Sequence, residues 1–218
     1  LYGDVVEEFD YETGRLLDVL DELKLSENTL VIYTADNGPW NQDKYTLKKK
    51  GHPEGSVFWG DAGPLRNGKG SPYEGGYRLP CIVRWPGKVP AGRSSDAVFA
   101  TIDFLPTFAR LCGFEAPTDR RIDGIDQTDL LMGQTETGRK TFYFDRAGIR
   151  FGKWKYLRAK AHFYGYARED DRPEAEELYN LKKDIGEREN LAEKYPEILA
   201  KLRKLTEEMP QDGPGGIH

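Results

Sequence analysis

The chain begins with the pattern that most constrains its fold, an amphipathic helix followed by a short apolar strand. Apolar residues recur at helical spacing over residues 2–24, with acidic residues on the opposite face. After "LSEN", the residues from Leu30 to Tyr33 form a continuous apolar run, which is typical of a strand covered on both faces. A helix followed by such a strand indicates an α/β fold.

The next segments extend this α/β pattern. Residues 79–85 predict a second strand that ends at Pro-Gly, and residues 96–101 a third. Residues 104–111 predict a helix with a proline near its first turn. We therefore expect residues 1–138 to supply helices and strands to a mainly parallel sheet.

The character of the sequence changes after residue 138. Residues 141–159 mix aromatic, β-branched and basic residues with turn signals, which predicts an antiparallel hairpin or meander. Asn190 and Glu193 resemble a capping box that opens a helix to about Met209. Residues 139–218 are thus expected to form a small subdomain, an antiparallel sheet with a C-terminal helix.

Composition excludes several classes of protein. No run of 18 apolar residues occurs in the 218-residue chain, so we expect no membrane span. The net charge of −5 and the pI near 5.4 argue against nucleic acid as a general partner. Cys81 and Cys112 have no metal or redox spacing, and we expect both to be buried free thiols.

The sequence Asp36-Asn37-Gly38 directly follows the first strand and allows two interpretations. Asn-Gly is a strong hairpin signal, yet proline and a polar stretch follow instead of a second strand. Ligands of open α/β sheets bind just beyond the carboxyl ends of the strands. The irregular stretch 38–76 is long enough to be either functional or disordered.

A second candidate segment is "GPLRNGKGSPYEGGYRLP". Lys69 lies between two glycines, so the backbone can approach a ligand closely while one ammonium group is offered. This arrangement suits a tetrahedral oxyanion, although a flexible loop with solvated charges is the alternative. For Arg78 and Glu74, contact with an anion and a buried ion pair behind the site both remain open.

Five segments together resemble the sulfatases of the alkaline-phosphatase-like superfamily, in the order of that family. They are "TLVIYTADNGP", "GPLRNGKGSPYEGGYRLPCIVRWPGKVPAG", "ATIDFLPTFARLCG", "DGIDQTDLLMG" and "ELYNLKKDIGERENLA". The resemblance spans almost the whole chain, but only as the C-terminal portion of a sulfatase. It implies the C-terminal part of an alkaline phosphatase-like α/β sandwich.

The resemblance also implies roles for individual residues. Asp36 and Asn37 match the residues that bind a divalent cation, usually calcium, and Mg²⁺ is a possible substitute. Both offer hard oxygen ligands, whereas related phosphatases place a histidine at the second position for zinc. Lys69 matches the catalytic lysine that contacts the sulfate, and we expect Arg78 and His52 to help bind substrate.

The nucleophile of the family is missing from the sequence. Sulfatases use a formylglycine made from Cys or Ser in a motif C/S-x-P/A-x-R, and neither Cys81, Cys112 nor any serine begins that motif. The chain also opens at Leu1, directly in a helical pattern and without Met. These features predict that the chain is a fragment and that the formylglycine lies upstream of it. We expect such a fragment to be inactive alone and to leave an edge of its sheet uncovered.

The expected activity is therefore that of the parent protein, hydrolysis of a sulfate ester. The resemblance implies a sulfated small molecule or saccharide as substrate, the upstream part as partner, and a periplasmic, secreted or lysosomal location. The alternatives are a phosphodiesterase or phosphonate hydrolase of the same superfamily, and a non-catalytic binding remnant. His162 is expected to be peripheral to the site.

Overall fold

The computed structural model describes residues 2–40, 60–164 and 172–209. Its helices are Tyr2–Glu22 (α1), Glu74–Tyr77 (α2), Phe104–Leu111 (α3), Thr128–Leu131 (α4) and Pro196–Glu207 (α5). Its strands are Val31–Thr34 (β1), Cys81–Arg84 (β2), Thr141–Tyr143 (β3), Gly148–Phe151 (β4), Trp154–Leu157 (β5) and Glu177–Asn180 (β6). β1 and β2 pair with each other, and β3 to β6 form a second sheet in that order.

These elements divide into two compact units, each built from separated stretches of chain. One contains the described parts of residues 1–15, 34–81 and 141–209, and the other contains residues 16–33 and 82–140. Both candidate segments and the antiparallel sheet belong to the first unit. The division of the chain at residue 138 stays a prediction.

Helix α1 confirms the predicted amphipathic helix, but its apolar residues lie on the surface. None of its residues is buried, and Val5, Phe9 and Leu16 are each more than half exposed. No helix among the described residues is both long enough and apolar enough to span a membrane.

Two expectations about residues 81–112 are wrong. Residues 96–101 do not form a strand, because the Val98 carbonyl accepts hydrogen bonds from the Arg139 amide and the Gln127 side chain instead of from a neighbouring strand. Cys81 and Cys112 are free, as expected, but both are exposed. Cys81 begins β2, whose first two residues are exposed, so the apolar pattern of this strand does not place its thiol inside the unit.

Asp103 organises the loops of the second unit. It is completely buried and accepts hydrogen bonds from the Ala100 and Ile125 amides, while Arg139 and Gln127 donate from their side chains. Burial alone would raise the pKa of Asp103, but these hydrogen bonds, first that of Arg139, hold it below its ordinary value. The carboxylate therefore fixes the long connection between α3 and β3.

The predicted antiparallel meander is confirmed in β3, β4 and β5, and β6 adds a fourth strand that the sequence did not predict. Helix α5 begins at Pro196, six residues later than the predicted cap. Asn190 has another role, since its side-chain oxygen accepts the amides of Leu178 in β6 and Ala192. The bond to the Ala192 amide is of the capping kind, but it opens a single turn, in which the Leu191 carbonyl accepts the Lys194 and Tyr195 amides, and α5 begins only at Pro196.

One face of the antiparallel sheet packs against α5. Ile149, Tyr156 and Leu178 are directly opposite one another across β4, β5 and β6, and all three are buried with Leu202 of the helix. Because side chains alternate along a strand, the residues next to these point to the opposite face. That second face supports the candidate site.

Candidate functional site

The loop after β1 presents the predicted cation ligands. Asp36 is exposed and Asn37 is half-buried, while Gly38 is buried. The side-chain oxygen of Asn37 is buried and has no hydrogen-bond partner among the described residues. A buried acceptor without a donor is uncommon and is what a cation ligand requires.

Two main-chain hydrogen bonds join this loop to the segment that contains Lys69. The Gly38 amide donates to the Gly76 carbonyl (2.9 Å), and the Lys69 amide donates to the Pro39 carbonyl (2.8 Å). Two segments separated by some thirty residues of sequence are thus in direct contact. The structure brings Asp36 and Lys69 into one region of the first unit.

Glycines make this close approach possible. A Cβ atom on Gly38 would lie 1.7 Å from the Gly75 carbonyl oxygen. A Cβ on Gly75 would lie 2.2 Å from the Asn67 carbonyl oxygen, and one on Gly76 would lie 2.2 Å from that of Ser71. No side chain fits at these positions, so the glycines are required by packing between backbones.

The turn that carries Lys69 is held by its own neighbours. Asn67 has a positive φ of 58° and its side chain accepts the Gly68 amide (2.8 Å). The Ser71 hydroxyl and amide both donate to the Gly68 carbonyl. Lys69 is half-buried in this turn. The bonds named above fix the main chain of the turn without using the Lys69 side chain.

Beneath these loops lies a charged row of the antiparallel sheet. Arg150, Lys155 and Tyr179 are cross-strand neighbours in β4, β5 and β6. The Lys155 side chain is 0% exposed, and its Nζ donates to Glu74 Oε1 (3.0 Å) and lies 2.8 Å from Glu187 Oε1. A buried lysine with two buried carboxylates therefore connects the sheet to α2.

The two carboxylates have opposite pKa shifts. Burial would raise the pKa of Glu74, but the charges of Lys155, Arg150 and Arg78 lower it below its ordinary value. Burial also raises the pKa of Glu187, and there Lys155 offsets the effect only in part because Glu74 adds to it. The lysine thus keeps Glu74 ionised next to a second buried carboxyl group.

Arg66 makes a further connection between the loop and the sheet. Its Nη1 donates to the Tyr179 hydroxyl (2.9 Å) and to the Glu187 carbonyl (3.1 Å). Its guanidinium lies 3.8 Å from the centre of the Tyr73 ring, and the Tyr73 hydroxyl donates to Glu177 (2.8 Å). The cation–π contact and the hydrogen bonds together fix the segment from Arg66 to Tyr73 at both of its ends.

The remaining predicted residues lie as follows. Glu74 forms the buried ion pair and not an exposed anion contact, which resolves the two interpretations in favour of the pair. Arg78 is exposed, and its amide donates to the Glu74 carbonyl (2.7 Å). His52 lies outside the described residues. The binding roles of Asp36, Asn37, Lys69 and Arg78 stay predictions.

Sequence reasoning missed the residues beside Gly70. The Tyr164 amide donates to the Gly70 carbonyl (2.8 Å), and the exposed rings of His162 and Tyr164 meet edge to face at 5.1 Å. Phe163 between them is buried, and His162 lines a small pocket together with Gly70 and Ser71. The alternation of polar and apolar residues in "AHFY" is the signal that was available.

The described donors fit part of a cation shell. Asp36 and Asn37 supply a carboxylate and an amide oxygen, which suit a hard cation such as calcium. The described ranges contain no group of three or more His, Cys, Asp or Glu residues arranged for a metal. These two residues would therefore hold a cation together with ligands from elsewhere.

Two family profiles match the chain. The profile described as "Sulfatase" matches residues 1–114, and the profile described as "N-sulphoglucosamine sulphohydrolase, C-terminal" matches residues 68–212. The two matches overlap and together cover nearly the whole sequence.

Relatives and a solved structure agree with these profiles. The chain is 33% identical to an N-acetylgalactosamine-6-O-sulfatase of Bacteroides thetaiotaomicron, over 94% of this chain and 41% of the relative. It is 43% identical to mouse steryl-sulfatase, over 66% and 22% of the two chains. A solved structure from work on glycosaminoglycan metabolism by Bacteroides thetaiotaomicron matches with a TM-score of 0.76 and 31% identity, over 94% of this chain and 44% of the other.

The chain spans less than half the length of these proteins. The structural match extends along both the α/β elements and the antiparallel sheet, so the predicted fold class is confirmed. The profile matches agree with the order of the motifs along the sequence. The chain belongs to the sulfatase family and corresponds to its C-terminal portion.

Proposed function

We propose that this chain is the C-terminal portion of a calcium-dependent sulfatase that hydrolyses the sulfate ester of a saccharide. One observation carries the proposal: the main-chain bonds between the Asp36–Gly38 loop and the Lys69 turn. They join the candidate cation ligands and the candidate sulfate lysine in one unit. A sulfate group needs both, because its three outer oxygens share negative charge.

Asp36 and Asn37 are the proposed cation ligands. The unpartnered buried oxygen of Asn37 supports this role, since an amide oxygen in that state gains most from a cation. An amide in place of a histidine favours calcium over zinc. A bound calcium would neutralise negative charge on the sulfate oxygens during reaction.

Lys69 is proposed to hold one sulfate oxygen. The turn around it is fixed by main-chain bonds, so its side chain extends from a defined backbone position. Fixed donors aimed at developing charge lower the barrier because they need no reorganisation during the reaction. Arg78, exposed at the end of α2, is the proposed second cationic contact for the substrate.

The nucleophile must come from residues outside this sequence. No C/S-x-P/A-x-R motif occurs in the 218 residues, and the chain spans 41% of a relative that matches it along nearly its whole length. We therefore expect the formylglycine and the other cation ligands in the rest of the polypeptide. By itself the chain is expected to bind without turnover.

A sulfated saccharide is the proposed substrate class. The N-acetylgalactosamine-6-O-sulfatase matches 94% of the chain, and the solved structure from glycosaminoglycan work has the same coverage. The steryl-sulfatase match has a higher identity but ends after 66% of the chain. A steroid sulfate is accordingly the second candidate.

Turnover by the complete polypeptide that contains this chain tests the proposal. N-acetylgalactosamine 6-sulfate, an aryl sulfate, a steroid sulfate and an aryl phosphodiester are compared with and without a calcium chelator. We expect sulfate release that the chelator removes, and greater kcat/KM for the saccharide than for the steroid. Cleavage of the phosphate ester but not of the sulfates would support the phosphodiesterase alternative. Turnover by the 218 residues alone would contradict the proposal that the nucleophile lies outside them.

Two substitutions locate the site in the same protein. Asp36→Ala should remove most of the stabilisation by calcium, which is about 2.7 kcal/mol at a hundred times Kd. Lys69→Ala should lower kcat by about 10²–10³ and leave that stabilisation intact, because it removes one donor to the sulfate. An unchanged calcium response in the first variant, or unchanged turnover in the second, refutes the corresponding role.

A further inference from the structure

We propose that Lys155 is a positioning residue for the sulfate site: through Glu74 and Glu187 it fixes the Lys69 turn against the loop with Asn37. It lies in the antiparallel sheet, outside both segments that the sequence identifies as functional. Its significance for sulfate binding rests on the proposed function. Its effect on the geometry of the two loops does not.

The ammonium group of Lys155 is completely enclosed. It lies 3.0 Å from Glu74 Oε1, 2.8 Å from Glu187 Oε1 and 4.1 Å from the centre of the Phe144 ring. Lysine is seldom buried because its charge loses hydration. Three favourable contacts around one ammonium offset that loss and fix its position.

A continuous series of contacts leads from Lys155 to both loops. Glu74 is the first residue of α2, and its amide donates to Glu187 Oε2 (2.6 Å). The next amide, that of Gly75, donates to the Arg66 carbonyl at the start of the lysine turn (2.9 Å). The Gly76 carbonyl, one residue later, accepts the Gly38 amide beside Asn37. A shift of α2 would therefore move both contacts together.

The charge balance explains why the lysine is required. Glu74 and Glu187 are both buried, and among the described residues Glu74 also pairs with Arg150, whose Nη1 lies 3.7 Å from Oε2. Arg78 contributes at longer range. Without Lys155 the two carboxylates would repel each other across the α2 amide, and a buried unpaired charge is costly. Binding of a proton by one carboxylate or movement of α2 toward solvent relieves this repulsion, and the proposal rests on the movement.

Hydrogen exchange in the complete polypeptide tests this directly, without any assay of activity. Lys155→Met keeps the length of the side chain and removes its charge, and Lys153→Met removes an exposed charge two residues away as the matched control. We expect the Gly38, Lys69, Gly75 and Gly76 amides to exchange faster by about tenfold or more in the first variant only.

Two results would overturn the positioning role. One is unchanged exchange at these four amides. The other is an equal acceleration at the amides of α5, which would mean that Lys155 stabilises the whole sheet and not the loops.

The double variant Lys155→Met/Glu187→Gln addresses the risk that the single variant does not fold. It leaves one buried carboxylate, Glu74, with Arg150 beside it. We therefore expect the protein to fold, and the four loop amides to exchange nearly as slowly as in the wild type. If the double variant also fails to fold, Lys155 is required for folding and the proposal is wrong.

Kinetics connect the geometry to sulfate. With an aryl sulfate, Lys155→Met should lower kcat/KM by about 10–100-fold, since small displacements of positioned groups have effects of that size. The double variant should recover most of it. If exchange changes as expected but kinetics do not, the loops are positioned by Lys155 but the proposed role of Lys69 fails. If the wild type cleaves no sulfate ester, only the proposed function fails.

Discussion

The two faces of the antiparallel sheet are built from the same strands but hold their partners in different ways. On one face, Ile149 and Tyr156 pack against Leu202 of α5 in a buried apolar cluster, and the polar links to the helix, through Tyr143 to the Leu205 carbonyl and through Glu176 to Arg203, lie at its margin. On the other face, Lys155 and Arg150 reach the loops of the candidate site through ion pairs and hydrogen bonds.

The difference separates stability from geometry. Apolar burial is strong but non-directional, so it holds α5 without specifying the position of single atoms closely. Charged hydrogen bonds require definite distances and directions, and an unpaired buried partner is costly. The face that contacts the two loops of the candidate site is therefore the one that carries buried charges.

The largest effect is expected on the apolar face. Leu202→Ala removes a fully buried side chain between α5 and the sheet and should lower the free energy of unfolding of this region by about 2–5 kcal/mol. Urea unfolding followed by tryptophan fluorescence, to which Trp154 contributes from its contact with Tyr195 in the same cluster, measures it. Lys204→Ala on the exposed side of α5 is the control, with a change within about 0.5 kcal/mol. A loss below 1 kcal/mol for Leu202 would contradict the burial argument.

A smaller loss of stability but a larger loss of turnover is expected at the loops. Gly75→Ala would place a Cβ 2.2 Å from the Asn67 carbonyl oxygen and 2.4 Å from that of Arg66. We expect a cost of about 1–3 kcal/mol and a displaced lysine turn, measured as lower kcat on an aryl sulfate. Gly14→Ala in α1 meets no atom within 4 Å and should leave turnover unchanged. Equal turnover in the two variants would show that the close backbone approach is not needed.

The smallest expected effect is a change in the pH dependence of stability, and it involves only the face of the sheet that carries the buried charges. The pKa of Glu187 is raised from its ordinary 4.5, first by burial, so its carboxyl binds a proton more tightly in the fold than in the unfolded chain. Stability from this group is present below pH 4.5 and is lost as pH rises through the raised pKa. The pKa of Glu74 is lowered, so the stability that this group contributes is lost only as the pH falls below 4.5.

Glu187→Gln should therefore make stability less dependent on pH above 4.5, and thermal unfolding at a series of pH values measures the slope. Leu202→Ala, which removes no titrating group, should keep the slope of the wild type. If Glu187→Gln keeps that slope too, Glu187 does not titrate in this range.

Much of the fold followed from local patterns. Helix α1, strands β1 and β2, helix α3 and the meander were predicted within a few residues, because each has its own periodicity or cap. Strand β6 was missed, since the four residues Glu177–Asn180 carry no period long enough to detect. They are a strand because β5 offers an edge with matching apolar partners, which is a tertiary property.

The two long helices show the limit of periodicity. Both α1 and α5 are amphipathic, yet α5 buries Leu202 against the sheet while α1 buries nothing. A helical pattern predicts an apolar face but does not identify what covers it. The same limit applies to the exposed cysteines, which were expected inside the molecule because thiols are usually buried.

The candidate site was predicted in part for a similar reason. Asp36, Asn37 and Lys69 were found because their motifs resemble a family, and their segments do meet. Lys155 was not found, although the alternation in "IRFGKWKYL" places it on the face opposite Ile149 and Tyr156. Its partners are remote in sequence, so only the folded chain shows which carboxylates it meets.

The main-chain bonds between the two site loops also bear on how such a protein can diversify. The contacts from Gly38 to Gly76 and from Lys69 to Pro39 use atoms that do not depend on the neighbouring side chains. Exposed positions around them, such as Arg78 and His162, can therefore mutate without altering the spacing of the loops. An ancestor with this arrangement could acquire new substrates by changing its surface while it inherited one constant scaffold for the charged group.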